Sequence, residues 1–297
     1  MPQSDALMSA TPCVCVDTLA LAHGVRPDAR QTFLEQADAA AKACGAQLIW
    51  PVLVDGALAA KLSAAEFDAV CRRSDFGKIG TARLGLAQVR SLTGGLTAAA
   101  TLAVGSILAA DAVVTGGLGG IHRGRLNDLS ADLHAVSRSR LPLVCSGFKP
   151  FIDAGASIAV LEAASVPIFH IDQGGWPCLY ANDPGQRFGE KLRDGNEMAG
   201  ALAAQARLAH GDLGSLCVMS VPEHAALSLT EVETCCAAAI EAASVIEVQG
   251  SALTPWLVKA MRDALGVGLD LANEAALMKN IIAASKLAVR LAATSER

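Results

Sequence analysis

From position 115 the chain reads TGGLGGIHRG (115–124), then DLSAD (128–132), then VCSGFK (144–149). Each piece follows a short β-branched or apolar run or leads into one, so this stretch places loops at the ends of buried strands. Glycines let backbone approach a ligand closely. His122 and Arg123 stand at the end of the loop, where a phosphate could be held, since both side chains suit phosphate oxygens. Two carboxylates, Asp128 and Asp132, and the hydroxyl of Ser130 follow. Lys149 then sits just past a buried run. An anion cradle, a carboxylate pair and a strand-end lysine point to a sugar-phosphate site with amine chemistry.

Outward from this block, short apolar runs alternate with longer Ala/Leu-rich segments. Strands are expected at 12–16, 46–51, 112–115, 143–145, 167–170 and 214–219. Helices are expected at 28–44, 64–72, 96–110, 129–137, 150–164, 196–210, 230–243, 255–265 and 269–291. This alternation predicts an α/β fold, a three-layer α/β/α arrangement around a largely parallel central sheet. Without a long linker, low-complexity tract or internal repeat, residues 1–297 read as one domain. The most irregular segment, 173–194, carries Gly174, Gly175, Pro177, Pro184 and Gly185 with Trp176 and Tyr180. It reads as a functional loop, a subunit contact or a cover for the core edge.

The 297 residues are 52% hydrophobic and 18% charged, which favours a large buried core, and the net charge of −5 lacks the basic footprint of a nucleic-acid binder. Nine cysteines are present. They form no C-x-x-C pair, so neither a zinc cage nor a dithiol redox motif is signalled. Cys13 and Cys15 are expected on one face of a strand. An odd count with no framework fits a reducing cytoplasm. The N-terminus carries Asp5 and no basic leader, so no signal peptide is read. The apolar region 98–114 is interrupted by Asp111 and reads as a helix leading into a strand, not a membrane span.

Each candidate has a plainer reading. The glycine loop lacks G-x-G-x-x-G spacing and a P-loop ending, and could be only a turn at a strand end. Asp128 and Asp132, four apart, share a face if helical, and carboxylates with a hydroxyl suit Mg²⁺ or Mn²⁺; alternatively Asp128 or Ser130 caps the following helix. Lys149 can lose its proton and attack a carbonyl if its surroundings are apolar, or it is a solvated surface lysine, and the same holds for Lys78. Asp17, ending the first strand before His23 and Gly24, is placed for acid–base work or caps the next turn.

Taken together, the segments resemble the pseudouridine-5′-phosphate glycosidase family. That family carries an ATGGIGGVHRG loop, a DISADL segment and an AGxKSILD segment, which here read VTGGLGGIHRG, DLSADL and SGFKPFID. The resemblance continues through TPWL (254–257) to Asn273 and Asn280, and covers nearly the whole chain. It implies reversible cleavage of the C–C glycosidic bond of pseudouridine 5′-phosphate to uracil and ribose 5-phosphate. By the same resemblance, Lys149 forms a Schiff base with C1′ of the opened ribose and Asp128 is the Mn²⁺ ligand. Ser130, Ala131 and Asp132 are the substrate-contacting run, and Thr115 and His122 lie in the phosphate loop. Lys78 sits near the base or the first lysine, Ala98 occupies a substrate-binding position, and Asn273 is an active-site asparagine. A cytoplasmic homotrimer is implied, with Mn²⁺ or Mg²⁺ as cofactor.

The chemistry explains these residue types. A C–C bond to a base does not yield to simple hydrolysis. An iminium at C1′ provides an electron sink, so an amine nucleophile is needed, and an acid must protonate the ring oxygen. The family's acid is a glutamate in ALESTIISHG; here the stretch reads CVDTLALAHG, with Asp17 in that place and one methylene shorter. GKNGATTVAS becomes SLTGGLTAAA (91–100) and NPIPE becomes MSVPE (219–223). These changes are expected to alter the base side of the site. They leave open synthesis onto a non-uracil acceptor, or sugar-phosphate binding without chemistry.

Overall fold

The computed structural model describes residues 11–295 apart from 172–174 and 209–213. The reading of the N-terminus as lacking a leader, the first residues of the 173–194 segment and the end of the expected 196–210 helix lie outside the described residues.

β1 (Cys13–Val16) is buried along its whole length, with Val14 and Val16 in one core and Cys13 and Cys15 in the other. That is the pattern of a strand covered on both faces. α1 (Thr18–Gly24) starts at once, capped by Asp17, and α2 (Arg30–Ala43) returns the chain to β2 (Gln47–Ile49), parallel to β1. An excursion follows: β3 (Val52–Val54), β4 (Ala57–Ala59), α3 (Ala64–Cys71), β5 (Gly77–Ile79), α4 (Leu84–Val89) and β6 (Gly94–Leu96). Its strands form a separate sheet ordered β4-β3-β6-β5. β3 and β4 are joined by Asp55-Gly56, both at positive φ (48° and 80°). Asp-Gly favours such a two-residue hairpin turn.

α5 (Ala98–Ile107) leads to β7 (Ala112–Val114), which pairs with the other side of β1. β8 (Ile121–His122) and β9 (Arg125–Leu129) form a hairpin that turns through Gly124 at φ 73°. α6 (Ala131–Arg138), β10 (Pro142–Cys145), β11 (Ile152–Asp153), α7 (Ala154–Ala163) and β12 (Ile168–His170) follow. β13 (Trp176–Pro177) pairs with β14 (Asn182–Asp183), and β15 (Glu190–Lys191) extends the main sheet. The rest is α8 (Gly195–Leu208), β16 (Ser215–Val218), α9 (Leu229–Val245), α10 (Leu253–Leu265) and α11 (Val267–Ser295).

The main sheet runs β15-β12-β16-β10-β7-β1-β2, with every neighbouring pair parallel. One face packs against Leu102 of α5, Leu133 of α6, Leu161 of α7, Val232 of α9 and Leu257 of α10. The other packs against Leu34 of α2, Met198 of α8, and Leu277, Ile281, Ala284 and Ala288 of α11. The α11 positions recur at the period of one helical face. The result is a three-layer α/β/α fold. The chain leaves β1 outward to β2, then returns to β7 and proceeds to β10 on the other side. This reversal opens a crevice at the carboxyl ends of β1 and β7, where ligands bind in open α/β sheets. No helix among the described residues is long and apolar enough to cross a membrane.

Three expected helices start too early. Leu96 belongs to β6, Leu129 ends β9, and residues 152–153 form β11. Asp128 is therefore on a strand and Asp132 on a helix, so the two do not share a helical face.

Candidate active site

A cavity of about 320 Å³ lies over the carboxyl ends of β1, β7 and β10, lined by Asp17, Thr115, Lys149, Lys78 and Asn273 among others. Asp17 directly follows β1, and its amide donates to the Val114 carbonyl. Its carboxylate accepts from the Ala20 amide (2.9 Å) and from Thr115 Oγ1 (2.8 Å). The side chain therefore caps α1 and lines the cavity at once. It is 5% exposed. Burial pushes its pKa up to about 6, against the pull of the two hydrogen bonds and Lys149.

Past β10 the backbone continues pairing with the β7 loop. Leu118 N donates to Gly147 O and Lys149 N to Leu118 O. Lys149 Nζ donates to the Gly117 carbonyl at 2.5 Å. Burial holds this amine below the usual lysine range; Asp132 and Asp17 oppose the shift and Lys78 adds to it. Lys78 reaches the same cavity from β5 of the smaller sheet. Asn273 of α11 donates to the Gly24 carbonyl (2.5 Å), and a Cβ at Gly24 would collide with its amide.

The glycine loop does less than its sequence promises. A Cβ at Gly117 would lie 2.9 Å from Leu179, and one at Gly119 2.5 Å from Ser130 Oγ. The amides of Leu118, Gly119 and Ile121 are already given to Gly147 O, Asp132 and Ser157 Oγ. Only Gly116 and Gly117 of its glycines line the cavity. Arg123 does not hold a phosphate here. Its guanidinium grips Glu233 of α9 through two bonds of 2.6 and 2.9 Å.

The remaining candidates stand behind this wall. His122 stacks on Phe151 (5.7 Å between ring centres, 7° between planes). Its Nε2 lies 3.1 Å from Thr254 Oγ1, and Thr254 lines the cavity. Its Nδ1 is 3.3 Å from Asp128 Oδ2 without forming a hydrogen bond. Burial lowers the His122 pKa, with Asp128 opposing. Ser130 caps α6, of which Ala131 is the first residue. Asp132 accepts from the Ala99 and Gly119 amides at 3.1 Å each, tying the first turn of α5 to the loop. Ala98 is buried at the start of α5. Neither 91–100 nor 219–223 lines the cavity directly; Gly95 packs against Leu19, which does.

Sequence reasoning missed several residues that line the cavity: Leu19, Val258, Arg262 and Leu269. Thr254, Val258 and Arg262 recur every four residues along α10, which puts them on one face. That spacing was the available signal. Arg262 is fixed by Asp270 (2.7 Å) and by the His23 carbonyl (2.7 Å).

As a metal site, Asp128 and His122 offer two donors, and no group of three or more His, Cys, Asp or Glu able to hold an ion exists among the described residues. The unsatisfied, buried His122 Nδ1 beside a partly exposed carboxylate fits an ion whose remaining positions are filled by water, the usual habit of Mg²⁺ and Mn²⁺. It does not fit a closed protein cage.

The chain matches the indigoidine synthase A-like protein family over residues 3–290 and belongs to it. It is 29% identical to a pseudouridine-5′-phosphate glycosidase of Herpetosiphon aurantiacus, over 96% of this chain and 95% of the relative. Another glycosidase of that name, from Cupriavidus pinatubonensis, is also 29% identical, over 98% and 93%. Among solved structures, an indigoidine synthase A-like protein of Thermotoga maritima superposes with a TM-score of 0.86 at 27% identity, covering 95% of this chain and 94% of that one. The prealnumycin C-glycosynthase AlnA, solved with ribulose 5-phosphate, shares the fold with a TM-score of 0.85 at 22% identity, over 98% and 96%.

Proposed function

We propose that this protein is a pseudouridine-5′-phosphate glycosidase-type lyase, reversibly breaking the C–C bond between uracil and ribose 5-phosphate. The observation that carries the reading is the enclosure of the Lys149 amine in one cavity with the Asp17–Thr115 pair. The names of the relatives support the substrate. Burial favours the neutral amine, which attacks C1′ once the ribose ring opens. Asp17, holding a proton more readily than an ordinary carboxylate, gives it to the ring oxygen, with Thr115 orienting the carboxyl. The nitrogen lone pair then forms the C1′=N iminium as the C–C bond breaks. The pair from that bond goes to the uracil carbon, which takes up a proton, and water hydrolyses the iminium to free the Lys149 amine and ribose 5-phosphate. Lys78 stabilises anionic groups and disfavours protonation of Lys149. Asn273 fixes the α1 end of the cavity.

Mn²⁺ or Mg²⁺ would be held by Asp128, with His122 beside it, and would supply positive charge for phosphate or sugar oxygens. EDTA should then lower activity reversibly; full activity of Asp128→Ala without added metal would contradict that assignment. The protein is proposed to act as a cytoplasmic homotrimer.

The second reading is synthesis, joining ribose 5-phosphate to a less polar acceptor, which the apolar wall of Leu19, Leu179, Val258 and Leu269 favours. Incubation of pseudouridine 5′-phosphate with protein and Mn²⁺ should release uracil. Formation of an adduct mass only with another heterocycle would select the second reading, and no product in either direction would reject both.

A further inference from the structure

The tip of the β13–β14 hairpin is held in a conformation that lysine chemistry alone does not require. Leu179 has φ 68°, in the left-handed region that bulky L-residues avoid. Such strain persists where the surroundings hold it in place. Here Leu179 N donates to Ser146 O, Cys178 N to Ala181 O, and Leu227 N to Tyr180 O, at 2.8–2.9 Å. Gly147 forms a bridge with Cys178, and its positive φ of 70° and the close Pro177 carbonyl leave no room for a side chain. The tip is therefore locked to the loop that leads to Lys149.

The result is a specific placement. Leu179 lies on Gly116 and Gly117, and the Gly117 carbonyl holds the Lys149 amine. The next residue, Tyr180, is 3% exposed and lines the same cavity as Lys149 and Asp17. Its hydroxyl makes no hydrogen bond among the described residues and is not among the sealed, unpartnered polar atoms, and Arg262, another residue lining the cavity, is near enough to act on its charge. A buried phenol ordinarily finds a partner. Burial also drives its pKa upward, so the proton stays on and the group remains a donor.

We propose that Tyr180 is a substrate-contacting residue whose phenol donates a hydrogen bond to a sugar oxygen, not a phosphate oxygen, of the sugar phosphate at Lys149. This rests on the reading of the cavity as a sugar-phosphate site, and extends the contacts beyond the residues that the family resemblance assigns. The strained Leu179 fixes the tip that carries Tyr180, and the ligand supplies the partner that the described residues do not.

Tyr180 is the only tyrosine in the chain, so protein made with ¹³Cζ-tyrosine carries a single resonance. Ribose 5-phosphate should shift that resonance, and inorganic phosphate should not. Tyr180→Phe should weaken ribose 5-phosphate binding about 3- to 10-fold, the range expected for one hydrogen bond. Its thermal unfolding should match the parent, because the hydroxyl has no partner among the described residues to lose. A resonance unmoved by ribose 5-phosphate, or unchanged affinity in Tyr180→Phe, overturns the proposal. Borohydride trapping run in parallel separates the two claims. A shift without label on Lys149 keeps the Tyr180 contact and removes the imine, whereas label without a shift does the reverse.

Discussion

Asp17 combines roles that conflict. As a cap it accepts the Ala20 amide, as a partner it accepts from Thr115, and as a buried carboxyl it resists ionisation, with a pKa near 6. Below the ordinary carboxylate range, folded and unfolded chains both hold the proton. Between there and about pH 6 the unfolded chain ionises first, so stability is lost as pH rises and stays lost above. The loss is on the order of 2–3 kcal/mol. Asp17→Asn should accordingly raise the thermal midpoint at pH 8 while slowing turnover by about 10²- to 10⁴-fold. Asp17→Glu should retain activity if reach is the only issue. The proposed mechanism requires a proton on Asp17 and none on Lys149, so kcat/KM should trace a bell in pH. Its falling limb comes from Asp17 and its rising limb from Lys149, and as a coupled pair their apparent values belong to both groups. A silent Asp17→Asn would place the acid elsewhere.

At the scale of elements, the site depends on how strand ends are tied together. Asn280 of α11, fully buried, donates to the Thr115 carbonyl (3.0 Å) and accepts from Ser146 Oγ (3.1 Å), joining the loops after β7 and β10. Asn280→Ala leaves two buried polar groups without partners and should cost on the order of 2–4 kcal/mol in urea unfolding; Asn280→Ala with unchanged stability would show that the clamp is dispensable. The main strands were legible in the sequence because their apolar runs are short, buried on both faces and bounded by loops. Cys13 and Cys15 do share a face. The smaller sheet was not legible: its strands are three residues long, and β6 contains Gly94 and Gly95, which carry no side-chain pattern. The Asp55-Gly56 turn was a readable signal that went unused. Lys149, Thr115 and Asp17 could be singled out by their positions after strands, but Thr115 and Asp17 are 98 positions apart and only the fold joins them. The same distance effect misled the reading of Arg123, whose phosphate-like partner is Glu233, 110 positions away. It also hid the way Asp132 takes the Gly119 amide, one that an anion in the loop would have used.

For the whole molecule, the reversal of chain direction across β1 and β7 gathers Asp17, Lys149 and the Tyr180 tip over one crevice, which residues of α10 and α11 also line. The trimer proposal is checked by light scattering, which should give three times the 30.4 kDa chain mass at micromolar concentration; a monomer would contradict it. The central claim is that Lys149 is the amine that bonds to the sugar. Borohydride reduction in the presence of ribose 5-phosphate should add one reduced sugar phosphate per chain, located by peptide mass on the segment holding Lys149, and Lys149→Ala should neither take the label nor turn over. Label on another lysine, or turnover by Lys149→Ala, would contradict the account.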